Sequence, residues 1–490
     1  MKILGINALN HDAAVAMIQD GEVLFAGHSE RYSDIKNDSD LNKQLIADCF
    51  RYGKPDKVAY FERPYLKKLR QLRAGQYGEV LSTKNLPSNY LKQWIGKKPI
   101  HYVQHHQSHA AAGYYTSPYE ESAIVVIDAI GEFETCTIWY AWGSHFEKRY
   151  SLKYPNSLGL WYSAMTQRLG LKPQEDEYIL MGMAGWGTVD EELKQNIRND
   201  FFNDSDEPID LKDNLHRGCL SWNPKYYKDD DSDEWKFNIA ANVQAICEEE
   251  IVKVFELTKQ LVPETDNCVY MGGVALNCVA NSIIARDHYP NLWILPNPGD
   301  AGSSLGSAAY LFGEHINWTS PFTGYDIRGK YPTTKVLNEL LKGNIVGVAS
   351  GRAEFGPRAL GNRSLLGDPR YDIKDTVNKI KQREMFRPFA PAILEEYADD
   401  YFDGPMNRYM QFVANAKHDH KSVTHVDGTA RVQLVEKDNV SILRPILEEW
   451  YEQTGCPMLL NTSLNIKGQP IVNTWEDAKE FERKYNVPVF

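Results

Sequence analysis

The seven cysteines include no CxxC pair, their count is odd and their spacing is wide. That excludes a disulfide-stapled scaffold and a four-cysteine zinc site, and reduced thiols are expected. Apolar runs of the roughly 18 residues needed for a membrane helix are also missing. The N-terminal MKILGINALN has no basic stretch followed by an apolar core, so no secretory signal is read and a cytoplasmic protein is expected. Positive charge is short as well: 54 basic residues against 66 acidic leave a net charge of -12. Any nucleic-acid contact would therefore need a local basic patch. What is present is ordinary for a globular protein, with 42% hydrophobic and 24% charged residues in 490. One core stops growing well short of that length, so two or three domains are expected.

Apolar runs at Lys2–Ile6, Ala13–Ile18 and Glu22–Gly27, the last two separated by Gln19-Asp20-Gly21, read as strands with an Asp-Gly hairpin turn. Ala123–Ile127 is a continuous apolar run ending in Asp128, the pattern of a buried strand with a carboxylate at its C-terminal tip. Open α/β sheets place ligands at such tips. Ile239–Leu261 has helical spacing with Asn238 as the expected N-cap. The run Cys268–Met271 then leads into Gly272-Gly273. Strand, turn and helix signals thus recur in both halves of residues 1–312, predicting two related α/β lobes. Residues 188–237 are acidic, with DDDSDE at 229–234, and read as a solvated insertion or a substrate-recognising lid. Residues 313–334 read as a linker before a new strand at Ile345–Ala349. The boundary is placed near 335.

In HHQSHA, His105 and His109 are four apart, which puts both imidazoles on one helix face, where they can share a divalent metal or simply be core or solvated histidines. Asp300, in the glycine-rich turn PNPGDAGSSLG, is either a third ligand or an N-cap. Glycines at a strand end, as at Gly272 and Gly273, suit close approach of a nucleotide or simple structural packing. From Arg352 to Arg387, nine basic residues face five acidic ones, a local excess of four in an acidic chain. Many lie beside glycine or proline (GPRALGNRS, FRPFAP), and basic groups held on turns suit phosphate.

Taken together, these segments resemble the NodU/CmcH carbamoyltransferase family. The likeness runs through GINALNHDAAVAMIQDG, SERYSDIKND, HHQSHA, VIDAIGE, EYILMGMAGWG and GGVALNCVANS. It continues in GRAEFGPRALGNRSLLGDPR, NKIKQREMFRPFAP, THVDGTARVQ and TGCPMLLNTSLNIKGQPIV. The resemblance implies an α/β protein in two parts. Residues 1–334 would form an actin/sugar-kinase-like (duplicated RNase H-like) domain that transfers carbamoyl. Residues 335–490 would form a YrdC-like domain that makes carbamoyl adenylate. It implies carbamoyl phosphate, ATP with Mg2+ and a hydroxyl-bearing acceptor as partners, and one divalent metal, Fe2+, held by His105, His109 and Asp300. Carbamoyl phosphate would be gripped by Arg358, Lys381, Arg387, Arg431 and Ser463. His11, Lys36, Asp128 and Glu132 would serve the transfer step, and Gly272, Gly273, Asn277 and Gly302 the nucleotide.

The chain departs from the family pattern at Ile179, where a lysine is usual, at Asn37 in the KHD segment, and at Leu464, where NTSFN has phenylalanine. Three other readings compete. A tRNA threonylcarbamoyl-type transferase would share HHQSHA but not the adenylate-forming part or an acidic surface. A non-catalytic actin-fold nucleotide-binding protein would leave the basic cluster unused. A sugar kinase leaves 343–490 unexplained. The acceptor is expected to be a sugar or other natural product, a lipo-oligosaccharide, or a hydroxymethylated pyrimidine nucleotide or DNA.

Overall fold

Five of the six residues of β1 (Lys2–Asn7) are buried, and it pairs antiparallel with β2 (Ala14–Gln19), which pairs antiparallel with β3 (Glu22–His28). The β2–β3 turn uses Asp20 and Gly21 at φ +50° and +86°, the left-handed pair that matches the twist of a tight hairpin. On its other edge β1 pairs parallel with β4 (Lys57–Tyr60), and β4 with β5 (Ile100–Tyr102), giving the order β3-β2-β1-β4-β5. The same plan then repeats. The strands β6 (Glu121–Gly131), β7 (Glu134–Trp142) and β8 (His145–Lys153) pair antiparallel. The strands β9 (Asn267–Met271) and β10 (Asn291–Trp293) add on in parallel beyond β6, giving β10-β9-β6-β7-β8. Two sheets of identical strand order are the duplicated RNase H-like architecture of actin and the sugar kinases.

This computed structural model describes residues 1–490 apart from 74, 226, 228, 330, 332 and 438–440. Parts of the acidic stretch and of the expected linker therefore lie outside the described residues. The chain forms two compact units: Met1–Ser29 with Asn37–Trp318, and Glu30–Lys36 with Thr319–Phe490. The division falls at Thr319, earlier than the expected 335, because β11 (Phe322–Ile327) pairs antiparallel with β13 (Gly351–Glu354) of the second unit.

The second unit is also α/β. It is built on β12 (Val346–Ala349), β14 (Arg363–Gly367), β15 (Ala390–Leu394), β19 (Gln433–Val435) and β20 (Met458–Ser463), in the order β12-β14-β20-β15-β19. A small sheet of β16 (Phe402–Asp403), β17 (Ala414–Ala416) and β18 (Thr429–Ala430) lies beside it in sequence. Trp450, Leu447, Val348 and Leu366 share its main core. Burying such side chains stabilises the unit by about 1.5–3 kcal/mol each.

The 29-residue helix Asp233–Leu261 starts earlier than Asn238. Ser232 is its N-cap, accepting from the Trp235 amide, and Asp233 and Glu234 complement the helix dipole in the first turn. Half of the run that reads as solvated acid is thus a helix start. Earlier in the same stretch, Arg198 pairs with Glu249 and Glu250, and the Ile209 amide donates to Glu250.

Candidate active site

The helix His105–Tyr114 leaves β5 and enters the first unit's core with nine of its ten residues buried. It crosses the helix Gly302–Phe312 at Gly306, where a Cβ would stand 1.9 Å from the Ser108 carbonyl. The same second helix lies against Gly5 of β1, where a Cβ would stand 1.8 Å from the Ser304 carbonyl. Only glycine admits such approaches. These contacts bring His105 and His109 to the turn that carries Asp300 and to the C-terminal end of β6 that carries Asp128.

The four side chains meet. His109 Nε2 is 3.2 Å from His105 Nε2 and 3.2 Å from Asp300 Oδ1. His105 Nε2 is 3.1 Å from Asp128 Oδ2 and 3.3 Å from Asp300 Oδ1. One ligand atom from each residue lies within 4.8 Å of the others, and all four residues are buried. The charges are strongly coupled. Burial alone would lower the His105 and His109 pKa values, but Asp300 and Asp128 override it and raise both. Burial would raise the two carboxyls, but the facing imidazoles hold Asp128 and Asp300 below the usual carboxylate range.

The donor set suits a metal. His109 Nδ1 lies 3.1 Å from the Pro298 carbonyl, which accepts its N–H and leaves the Nε2 lone pair facing the cluster. With two Nε2 atoms 3.2 Å apart there is no room for a proton on each pointing at the other. The four atoms satisfy one another through a shared proton or a shared cation. Two imidazoles and two carboxylates suit a first-row divalent ion. His106, between the two histidines, instead meets Thr137 Oγ1 at 2.9 Å, and its pKa is pushed well down by burial and by His105.

Of the other expected site residues of this unit, His11 meets the cluster. His11 Nε2 is 3.5 Å from Asp300 Oδ2, and its Nδ1 is 2.9 Å from Asp12 Oδ2. Burial would lower the His11 pKa, but Asp300 and Asp12 raise it to about 10. Asn10, absent from the sequence reading, donates to Asp300 at 3.2 Å. Glu132, at φ +57°, has its carboxylate taken up by Arg63, with the guanidinium at 2.7 Å and the backbone amide at 2.7 Å. The signal for Arg63 was available, since it follows the C-terminal tip of β4, where open α/β sheets gather functional groups.

The Gly273 amide donates to Asp128 at 3.3 Å, and the Gly272 amide to Pro298 at 2.9 Å. Gly302 packs where a Cβ would stand 1.9 Å from the Asn297 carbonyl. Asn277 caps the helix Cys278–Ile283 and exchanges hydrogen bonds with the buried Gln244. Lys36 belongs to the second unit. Ile179 is buried at 1% exposure, as isoleucine most often is.

In the second unit, Lys381 is buried and its Nζ lies 3.2 Å from Ser463 Oγ, 2.9 Å from the Asn465 carbonyl and 2.9 Å from Asn465 Oδ1. Burial, Arg383 and Arg387 push its pKa well down, while these oxygens compensate the desolvated ammonium. Arg387 is half-buried, with Glu384 3.5 Å away. The segments bearing Arg358, Arg431 and Ser463 are tied by one buried knot. Asn461 donates to Gln433 at 2.7 Å and to the Ala359 carbonyl at 3.1 Å, and Gln433 donates to the Leu360 carbonyl at 2.9 Å. Among the described residues, Arg431 Nε is buried without a hydrogen-bond partner.

Comparison with known proteins gives two family matches. Residues 58–309 match the family described as carbamoyltransferase N-terminus, and residues 337–490 that described as carbamoyltransferase C-terminus. An uncharacterized protein of Synechocystis is 31% identical, over 97% of this chain and 93% of that one. The nodulation protein NolNO of Sinorhizobium fredii is 30% identical over 96% of this chain and 76% of that protein. The 3'-hydroxymethylcephem-O-carbamoyltransferase of Amycolatopsis lactamdurans is 28% identical over 95% and 94%. Among solved structures, full-length HypF in its phosphate- and nucleotide-bound form is 16% identical with a TM-score of 0.35, covering 63% of this chain and 55% of that one.

Proposed function

Because this chain belongs to the NodU/CmcH carbamoyltransferase family, we propose that it is an ATP-dependent O-carbamoyltransferase working through carbamoyl adenylate. In the first half-reaction, carbamoyl phosphate, ATP and water give carbamoyl adenylate, pyrophosphate and phosphate. In the second, an acceptor hydroxyl attacks the carbamoyl carbon, the carbamate ester forms and AMP leaves.

The first half is assigned to the second unit. Arg358, Arg387 and Arg431 offset the negative charges that adenylate formation crowds together. Lys381 acts through Ser463 and Asn465, whose oxygens surround its ammonium. The ATP chemistry calls for Mg2+ on the phosphates.

The second half is assigned to the first unit. His105, His109, Asp300 and Asp128 would hold a divalent cation, for which Fe2+ is proposed, and it would supply Lewis acidity toward the adenylate phosphate. The chain's own residues do the rest. Asp12 accepts the His11 Nδ1 proton and so turns Nε2 toward Asp300. A cation held there would offset the Asp300 charge that raises the His11 pKa, and Nε2 is assigned to take the acceptor's proton. Arg63 and Glu132 hold the loop beyond Asp128 in place. Gly272, Gly273, Asn277 and Gly302 are proposed to receive the nucleotide.

The proposed acceptor is a small molecule with a primary hydroxyl, as the name of the Amycolatopsis relative denotes for that enzyme. The four-residue cluster at the tip of β6 is the observation that supports this reading most. Incubation with ATP, carbamoyl phosphate and a panel of hydroxylated small molecules tests it by mass spectrometry. A product heavier by one carbamoyl group is expected; ATP turnover that no carbamoyl phosphate stimulates contradicts it.

A further inference from the structure

Residues Glu30–Lys36 follow β3 in sequence but belong to the second unit. The Arg31 side chain there is only 3% exposed, and the Glu354 side chain is fully buried. Arg31 Nη2 donates to the Gly356 carbonyl at 2.8 Å, and Nη1 lies 4.0 Å from Glu354 Oε2. The other carboxylate oxygen, Glu354 Oε1, accepts the amides of Leu360 at 2.8 Å, Asn362 at 3.0 Å and Arg363 at 3.3 Å. A single buried carboxylate therefore closes the loop from 355 to 362, and a single buried guanidinium reaches from that carboxylate to a carbonyl within the loop.

Arg358 sits between the ties. Downstream of it, the loop is held by Asn461 on the Ala359 carbonyl and Gln433 on the Leu360 carbonyl. Upstream of it, the hold on Gly356 comes from Arg31. Removing Arg31 frees that carbonyl and leaves the Glu354 carboxylate buried beside one guanidinium fewer. A buried charge stripped of its partner drives rearrangement of the backbone around it.

We propose that Arg31 is a positioning residue for the phosphate grip of the second unit: it fixes the upstream half of the 355–362 loop and so aims Arg358. A piece of chain between β3 and β4 would thus complete a site whose other residues lie beyond 350. The inference rests on the carbamoyl phosphate role proposed for Arg358.

The test uses the full chain and follows pyrophosphate release from ATP as carbamoyl phosphate is varied. For Arg31→Met, KM for carbamoyl phosphate is expected to rise about tenfold or more while kcat stays within about twofold, the pattern of lost binding that is equal in ground and transition states. Arg31→Lys keeps the charge, but one ammonium does not span both Gly356 and Glu354, so its KM is expected between wild type and Arg31→Met. A merely structural role would lower the unfolding temperature and leave KM of the folded protein unchanged, and that result would overturn the inference. Should Arg31→Met not fold, a wild-type KM in Arg31→Lys overturns it equally. Arg358→Ala separates the two levels. If it raises KM and Arg31→Met does not, only the positioning role fails. If Arg358→Ala leaves KM unchanged, the assignment of Arg358 fails and takes the inference with it.

Discussion

Two histidines one helical turn apart and an aspartate in a distant turn converge within hydrogen-bonding distance, and Asp128 joins them. Replacing His11 by alanine should slow carbamoyl transfer by about 10²–10⁴-fold, the usual contribution of a positioned base. Pyrophosphate release is expected to continue in that variant. A transfer rate within twofold of wild type would remove His11 from the chemistry. The cluster also fixes a pH dependence. Raised imidazole pKa values mean that the metal-free folded protein keeps protons that the unfolded chain, with histidine near about 6.5, has lost. Metal-free stability is therefore fully present below that pH and declines as pH rises through the raised folded values. A divalent cation must displace those protons, so its affinity should rise with pH and binding should release protons. Calorimetry in buffers of different ionisation enthalpy measures this, and an affinity flat from pH 6 to 8 contradicts it. At this scale the His105–His109 pair was legible from its spacing alone. Asn10 and Arg31 were not, because each acts on a residue far away in sequence and a spacing rule sees only neighbours.

At the scale of elements, close approach places the cluster. Gly306→Ala puts a methyl group where the Ser108 carbonyl already stands, so the two helices must part. A loss of about 1–3 kcal/mol is expected in urea unfolding, together with weaker metal binding. An unchanged midpoint would show that the helices do not depend on that contact. Ser232→Ala removes the N-cap of the long helix and should cost about 0.5–2 kcal/mol. The apolar runs either side of the Asp-Gly turn made β2 and β3 readable, and the continuous apolar run made β6 readable. The start of the long helix was not, because an acidic run reads as solvated coil until it is known to lie on the positive end of a helix dipole.

At the scale of the molecule, the repeated strand order of the first unit was legible as strand, turn and helix signals recurring in both halves of the sequence. The limits of the second unit were less so. A boundary drawn by composition looks for glycine, proline and loss of period, and passes over β11, which is assigned by its pairing with β13. It has no means of seeing that residues 30–36 pack with a unit that begins at Thr319. A chain of net charge -12 concentrates basic residues in that second unit, and the account gives the two units different halves of one reaction. That division is open to direct measurement: pyrophosphate release and carbamoyl transfer followed in the same preparations of Arg387→Ala and His109→Ala. The account predicts that Arg387→Ala loses both, whereas His109→Ala keeps pyrophosphate release and loses transfer. Transfer that persists in His109→Ala would contradict it.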